Sequence, residues 1–455
     1  MNNEQEMKRY RWNSWIFIIS YAFMGLMSGV AFDVLVTFLQ QVSIETASSY
    51  SAYMGMSNFV CAAILLLVPI IGYKKVILTG PVMTIAALVA ISFINVRLIY
   101  PVATLAILVG VTLFDVILPP YLTAYTDEAN RNKVFSRAMY INVIGMVIAT
   151  FFGGSITVRR LATRLAISKD AAGHLTENLK GMTTAQMDQF IFAQRDVLLF
   201  FVIVCALSLI PLLFIKEKRE DYFEEEKTAK AEKKGFDWSI FKNKYVVCWL
   251  IYFALIRFGA SLICPYFSVY LNNELGISRA TTSQLVSYQY IAMVLFLIIS
   301  PWVVKKIGNV MALGGLALLS TPFMLMITNA PMFGKGMVAA VGLGLFLRAG
   351  FMNCANPIMN SLPMSFVPKN SRPAYNSLIF IAGGITSIIA GKFTELYLFK
   401  TPEGYSNAYY ITAVIYIIAS ILLFTVYYKK YNRVDLSNEE ETEVTASAEP
   451  ATEIA

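Results

Sequence analysis

Blocks of about twenty apolar residues with few charges recur twelve times along these 455 residues. At about 1.5 Å per helical residue, each block can cross roughly 30 Å of hydrocarbon. The expected spans are 14–38, 50–71, 76–96, 101–122, 138–157, 197–216, 246–271, 284–304, 309–329, 337–361, 374–396 and 408–428. Inside a bilayer every backbone N–H and C=O must be bonded within the protein, which favours a helix for each block. The expected fold class is an all-α membrane protein of twelve transmembrane helices. Composition agrees, with 57% hydrophobic and 15% charged residues against about half and a quarter in soluble domains.

The charges sit between the blocks. A net charge of +8 in a soluble chain would suggest nucleic acid, but here the basic residues fall in short connecting segments, where they set membrane orientation. With the N-terminus inside, the inner segments hold 24 Lys and Arg and the outer ones 11, six of them in one long loop, 158–196. Both termini are expected in the cytoplasm, with the chain in the plasma (inner) membrane. The basic N-terminus precedes an apolar run too long for a cleaved signal, so it reads as a retained first helix. Five cysteines lie within apolar blocks without CxxC spacing, which excludes the usual disulfide and zinc patterns. No G-x-x-x-x-G-K-[ST] loop marks a primary pump. No nucleophile–base cluster marks an enzyme, and neither a metal nor a cofactor is expected.

The hydrophilic run 217–245 reads as a solvated linker. It divides the chain into a cytoplasmic N-terminus (1–13), a first six-helix bundle (14–216), a second (246–428) and a polar tail (429–455). Residues 179–194 in the long outer loop have the pattern of a short amphipathic helix, a surface element or a lid. The halves resemble each other. Phe38-Leu39-Gln40-Gln41 ends the first span and Tyr270-Leu271-Asn272-Asn273 the seventh. Gly72-Tyr73-Lys74-Lys75 follows the second span, and Lys305-Lys306-Ile307-Gly308 the eighth. Gly145 and Gly153 in the fifth repeat as Gly383 and Gly391 in the eleventh.

Six plus six helices with parallel repeats and a charged linker resemble the major facilitator superfamily over about residues 14–428. That resemblance implies two pseudo-symmetric six-helix bundles and solute transport by alternating access. Of the inner-loop signature G-x-L-a-D-r-x-G-r-k, the chain keeps Gly72-Tyr73-Lys74-Lys75 and has Pro69 and Ile70 in place of the Asp-Arg pair. The resemblance places gating at Gly72, Lys74 and Lys75 and, in the second half, at Lys305, Lys306 and Gly308. The helix-5 motif G-P-x-x-G-G appears as Ala149-Thr150-Phe151-Phe152-Gly153-Gly154 without its Gly-Pro, which weighs against a drug/proton antiporter.

Ionisable groups inside the membrane cost several kcal/mol, roughly 2.5–3.5 on insertion scales, unless they face a cavity or a partner. Four stand out: Asp33, Asp115, Arg257 and Arg348, on the first, fourth, seventh and tenth spans. The resemblance implies that those spans line the central cavity. Arg257, Ser261, Cys264 and Ser268 share one side of a continuous helix, as do Asn353, Asn356 and Asn360. The expected substrate contacts are Arg257, Arg348, Asn353, Asn356 and Gln289, because guanidiniums clamp carboxylates or phosphates. Asp33 and Asp115 are the expected ion-coupling residues; both could equally form pairs that hold one state closed. Asn58, Asn142, Tyr288 and Asn376 read first as helix–helix bonds, Pro119-Pro120 as a break in the fourth helix, and His174 as a surface group. The expected function is transport of a polar or anionic solute, an organic acid or sugar-type compound, by a monomer coupled to protons or sodium. Export of cationic or lipophilic compounds is the alternative, and a non-transporting sensor a third reading.

Overall fold

The computed structural model describes residues 2–65, 67–126, 128–222, 241–367, 372–401 and 403–433. Of the expected linker, 223–240 lie outside the described residues, as do 434–455 of the tail. Regular structure among the described residues is entirely helical. In the first half the crossings are α1 (Asn2–Val30, continuing through a π turn at Ala31–Leu35 into Val36–Val42), α2 (Tyr50–Leu65), α3 (Tyr73–Phe93), α4 (Ile99–Ala124), α5 (Glu128–Leu165) and α6 (Thr184–Leu213). In the second they are α7 (Lys244–Ile263), α8 (Arg279–Ile307), α9 (Asn309–Thr328), α10 (Met337–Cys354), α11 (Arg372–Phe393) and α12 (Gly404–Tyr431). Eleven helices among the described residues are long and apolar enough to cross a membrane. The second crossing falls short because the expected span 50–71 comes as two helices, α2 and Val68–Ile71.

Several elements depart from the sequence expectation. α4 runs unbroken through Pro119 and Pro120 to Ala124. The two missing N–H groups free carbonyls one turn back, which packed membrane helices tolerate. The seventh span does break. Pro265 lies in a 3₁₀ turn at Cys264–Tyr266, after which the chain resumes as Phe267–Val269 and a π turn at Tyr270–Glu274. The tenth span breaks too, at Ala355, with Pro357 in the first turn of Asn356–Ser361. The polar stripes expected along both spans are therefore not continuous helical faces. In the outer loop the short helix lies at Lys169–Leu175 rather than 179–194, and α6 begins at Thr184, thirteen residues before the expected span. A capping box between Thr183 and Gln186 starts it.

In the first half α1 packs on α5 and α6, and α3 on α4; in the second α12 packs on α7 and α9, and α8 on α10. The halves meet along two seams, α5 against α8 and α2 against α11. Glycines bring the backbones together there. A Cβ on Gly154 would lie 2.8 Å from that of Ser283, and one on Gly391 2.7 Å from that of Ala52.

Hydrogen bonds between the halves gather at the face opposite the two termini. There Ser51 donates to the Ser261 carbonyl (2.6 Å), Tyr266 to the Ser48 carbonyl (2.7 Å) and Asn272 to the Thr176 carbonyl (2.7 Å). At the face bearing the termini, the hydrogen bonds of the described residues stay within one half. Two matching turns dominate it. Gly72 and Gly308 both take positive φ, 87° and 91°, which favours glycine. The Glu217 carboxylate accepts from the backbone N–H groups of Tyr73 and Lys74 beside the first turn. Beside the second, the Asn432 carbonyl accepts from the Asn309 N–H (2.9 Å) and the Asn432 side chain from the Met311 N–H (2.9 Å).

Candidate functional site

The second half contributes two cations without counter-ions among the described residues. Arg348, on α10, is 5% exposed. Its Nη2 lies 3.2 Å from Cys264 Sγ and 3.4 Å from Tyr416 Oη, and its guanidinium stands 5.4 Å from the centre of the Phe267 ring. Its Nε is buried without a partner. Arg257, half-buried on α7, lies within electrostatic reach of the same Cys264 and Tyr416. Among the described residues neither arginine pairs with a carboxylate. Cys264, which opens the 3₁₀ turn, meets Arg348, and Ser268, just past it, meets Asp33 of the first half. Two positive charges left uncompensated at such a point form an anion-binding environment.

The first half supplies the acids, and they are separated. Asp115 accepts a 2.5 Å hydrogen bond from Tyr21 of α1. It is enclosed deep in the protein and yet solvent-exposed, so it lines a water-accessible space. Asp33 is fully buried at the π turn of α1. Its Oδ2 lies 2.8 Å from Nη2 of Arg279, itself fully buried at the start of α8. Ser268 donates to Oδ1 (2.5 Å) and Ser283 to Oδ2 (2.6 Å). Every partner of this carboxylate belongs to the other half, so the cluster is a buried clasp between the bundles.

The remaining sequence-predicted residues scatter. Gln289 is half-buried on α8, between Tyr288 and Tyr290. Asn353 donates to the Ala349 carbonyl (2.8 Å) and Asn356 to Asn353 (2.8 Å), so these amides brace the break in the tenth span. Asn142 donates to the Tyr21 carbonyl (3.1 Å); the side chain of Asn376 lies outside the described residues. Lys74 Nζ donates to the carbonyls of Leu213 (2.6 Å) and Ile215 (3.3 Å). Lys75 and Lys305 are exposed, and Lys306 stands 5.2 Å from the Trp302 ring. His174 lies on the surface, 3.1 Å from Glu177.

Sequence reasoning missed Arg279, Tyr21 and Tyr416. Arg279 falls five residues before the expected eighth span, where it reads as a loop cation. Tyr21 and Tyr416 are two among 25 tyrosines, and no local pattern distinguishes them.

The Major Facilitator Superfamily profile matches residues 62–391. The chain belongs to the Major Facilitator Superfamily. Membership makes it a membrane transporter rather than an enzyme in general terms. No curated protein matches it in sequence. Among solved structures it is similar to a D-xylose–proton symporter, with TM-score 0.65 and 15% identity over 90% of this chain and 97% of the other. The xylose transporter of E. coli in its inward-open conformation gives 0.66 at 14% identity, covering 94% and 99%. The E. coli fucose:proton symporter gives 0.57 at 14%, covering 91% and 98%. At such identities the likeness establishes the superfamily fold alone.

Proposed function

We propose that this superfamily member carries a small polar or anionic solute, an organic acid or a sugar-type compound, across the plasma membrane by alternating access. The observation that carries the reading is the pair Arg257 and Arg348, converging on Cys264 and Tyr416 with no carboxylate beside them among the described residues. In low dielectric such a pair gains most from an anion that accepts charge-assisted hydrogen bonds. Asp115, hydrogen-bonded to Tyr21 and open to water, is the coupling carboxylate, with a proton as the ion. Asp33 belongs instead to the gate it forms with Arg279. Both termini face the cytoplasm, by the distribution of Lys and Arg, and the closed seams then face outside. The solved neighbours that couple sugars to protons support this reading without fixing the substrate.

Thermal stability of the purified protein against organic anions, sugar phosphates, neutral sugars, amino acids and lipophilic cations tests the proposal. A ligand at a hundred times its Kd stabilises by about 2.7 kcal/mol. Stabilisation by anions in the wild type that disappears in Arg348→Ala is the expected result. Stabilisation by lipophilic cations, unchanged in that variant, would replace this reading with export of cationic compounds.

A further inference from the structure

At the face bearing the termini, a cavity of about 220 Å³ opens where the first turns of α1 meet the end of α4 and the start of α5. Arg11 and Arg137 reach it from two helices, and Tyr10, Trp15, Tyr125 and Thr126 are among its other walls. The walls are well held. Ser14 donates to the Tyr125 carbonyl (2.8 Å), and the Tyr10 and Tyr125 rings meet edge to face at 5.8 Å. The Arg137 guanidinium stands 4.9 Å from the Trp15 ring, whose residue is 43% exposed.

The charges around the cavity differ in how they are satisfied. Arg9, one turn away, is neutralised by Asp221 through two hydrogen bonds of 2.5 and 2.9 Å, and Tyr125 donates to that same carboxylate (3.0 Å). Among the described residues Arg11 and Arg137 pair with no carboxylate and no acid lines the cavity. Two free guanidiniums therefore flank a small amphipathic pocket. An exposed tryptophan lies at its rim and the apolar body of α1 begins just beyond, which is the level of the lipid headgroups. Basic pockets between helices at this depth suit anionic headgroups, with a phosphate between the cations and acyl chains along the apolar helix.

We propose that this cavity is a binding site for the headgroup of an anionic phospholipid from the leaflet that bathes the face bearing the termini. The occupant is a lipid rather than a soluble phosphate because Trp15 and Ile18 continue the pocket into the apolar span.

Native mass spectrometry of the delipidated full chain, titrated with phosphatidylglycerol or phosphatidylcholine, tests the site. Phosphatidylglycerol should be retained at least about tenfold better than phosphatidylcholine, a difference of about 1.4 kcal/mol. Arg11→Gln, Arg137→Gln and the double variant should erase that preference. Arg159→Gln/Arg160→Gln, which removes two exposed cations near the opposite face, should keep it. Arg11 is exposed and unpaired, so its single variant is expected to fold, with the thermal transition as a check. Equal retention of both lipids overturns the proposal, as does an unchanged preference in Arg11→Gln and Arg137→Gln, or an equal loss in the control. Glycerol phosphate in solution serves as the second arm. If it displaces the bound lipid at comparable concentration, the cavity is a site for soluble anions and the lipid assignment fails.

Discussion

Replacing the carboxylate of Asp33 by an amide leaves Arg279 fully buried with no counter-ion among the described residues, and leaves Ser268 and Ser283 with one acceptor oxygen where they had two. Breaking one side of a buried pair costs about 3–5 kcal/mol, and here that cost falls on the state in which the bundles touch. Asp33→Asn should therefore open the face opposite the termini. A cysteine placed at Ser51, which is buried at the α2 seam, should then react with a membrane-impermeant thiol reagent. If labelling matches that of Ser51→Cys alone, the pair does not hold this face shut. Glu217 gives a second prediction at this scale. Burial raises its carboxyl above the ordinary value, opposed by the N–H groups of Lys74 and Tyr73. A carboxyl raised on folding contributes stability below its unfolded pKa, near 4.3, and loses it as pH rises through the folded value. The stability of wild type relative to Glu217→Gln should thus fall as pH rises above about 4; a gap that widens would reverse the assignment. Charged groups within apolar blocks were legible in the sequence because lipid makes each of them conspicuous. Their partners were not, since Arg279 reaches Asp33 across 246 residues and only the packing of α5 against α8 brings them together.

At the scale of the element, sequence was most informative where hydrophobic length decides, and least where backbone chemistry interrupts it. The twelve blocks announced the crossings. The breaks at Pro265 and Pro357 were also written in the chain, but reading each span as one continuous face overlooked them. The Pro119-Pro120 pair shows why proline alone is an ambiguous signal, since α4 passes through both. Thr183 and Gln186 carry a capping-box pattern that marks where α6 begins, ahead of its apolar stretch. The glycines of the seams repeat between the halves, yet only the packed structure shows what they touch. Because Gly154 meets Ser283 and the Arg279 carbonyl with no room for a side chain, Gly154→Leu should keep α5 from closing on α8. Fold and expression should survive, because the open state leaves that surface free. Transport should drop by at least tenfold while the Ser51→Cys probe becomes reactive. Wild-type transport with Leu at this position would show that the seam need not close this tightly in the cycle.

For the whole molecule, the distribution of bonds between halves defines which way it is open. Contacts across the seams, the Asp33–Arg279 clasp and the outer loop all join the bundles at one face. Asn272 holds the Thr176 carbonyl, Thr176 Oγ1 accepts from the Arg279 N–H (3.0 Å), and Lys180 lies 3.8 Å from Glu274. The loop thus ties down the turn that carries the gate arginine. At the other face the Gly72 and Gly308 turns are clamped within their own halves by Glu217 and Asn432, so each bundle can move as a body. Alternating access then requires a coupling group reached by water from the open side and set apart from the clasp. Asp115 suits that role, being solvent-exposed and bonded to Tyr21 inside the first bundle, apart from the clasp. Asp115→Asn keeps the shape and removes the titration. It should abolish accumulation driven by a pH gradient in proteoliposomes and leave counterflow exchange within about twofold of wild type, because exchange returns the loaded carrier without net proton movement. Undiminished pH-driven accumulation in Asp115→Asn would remove Asp115 from coupling. Loss of exchange as well would make it part of the solute site.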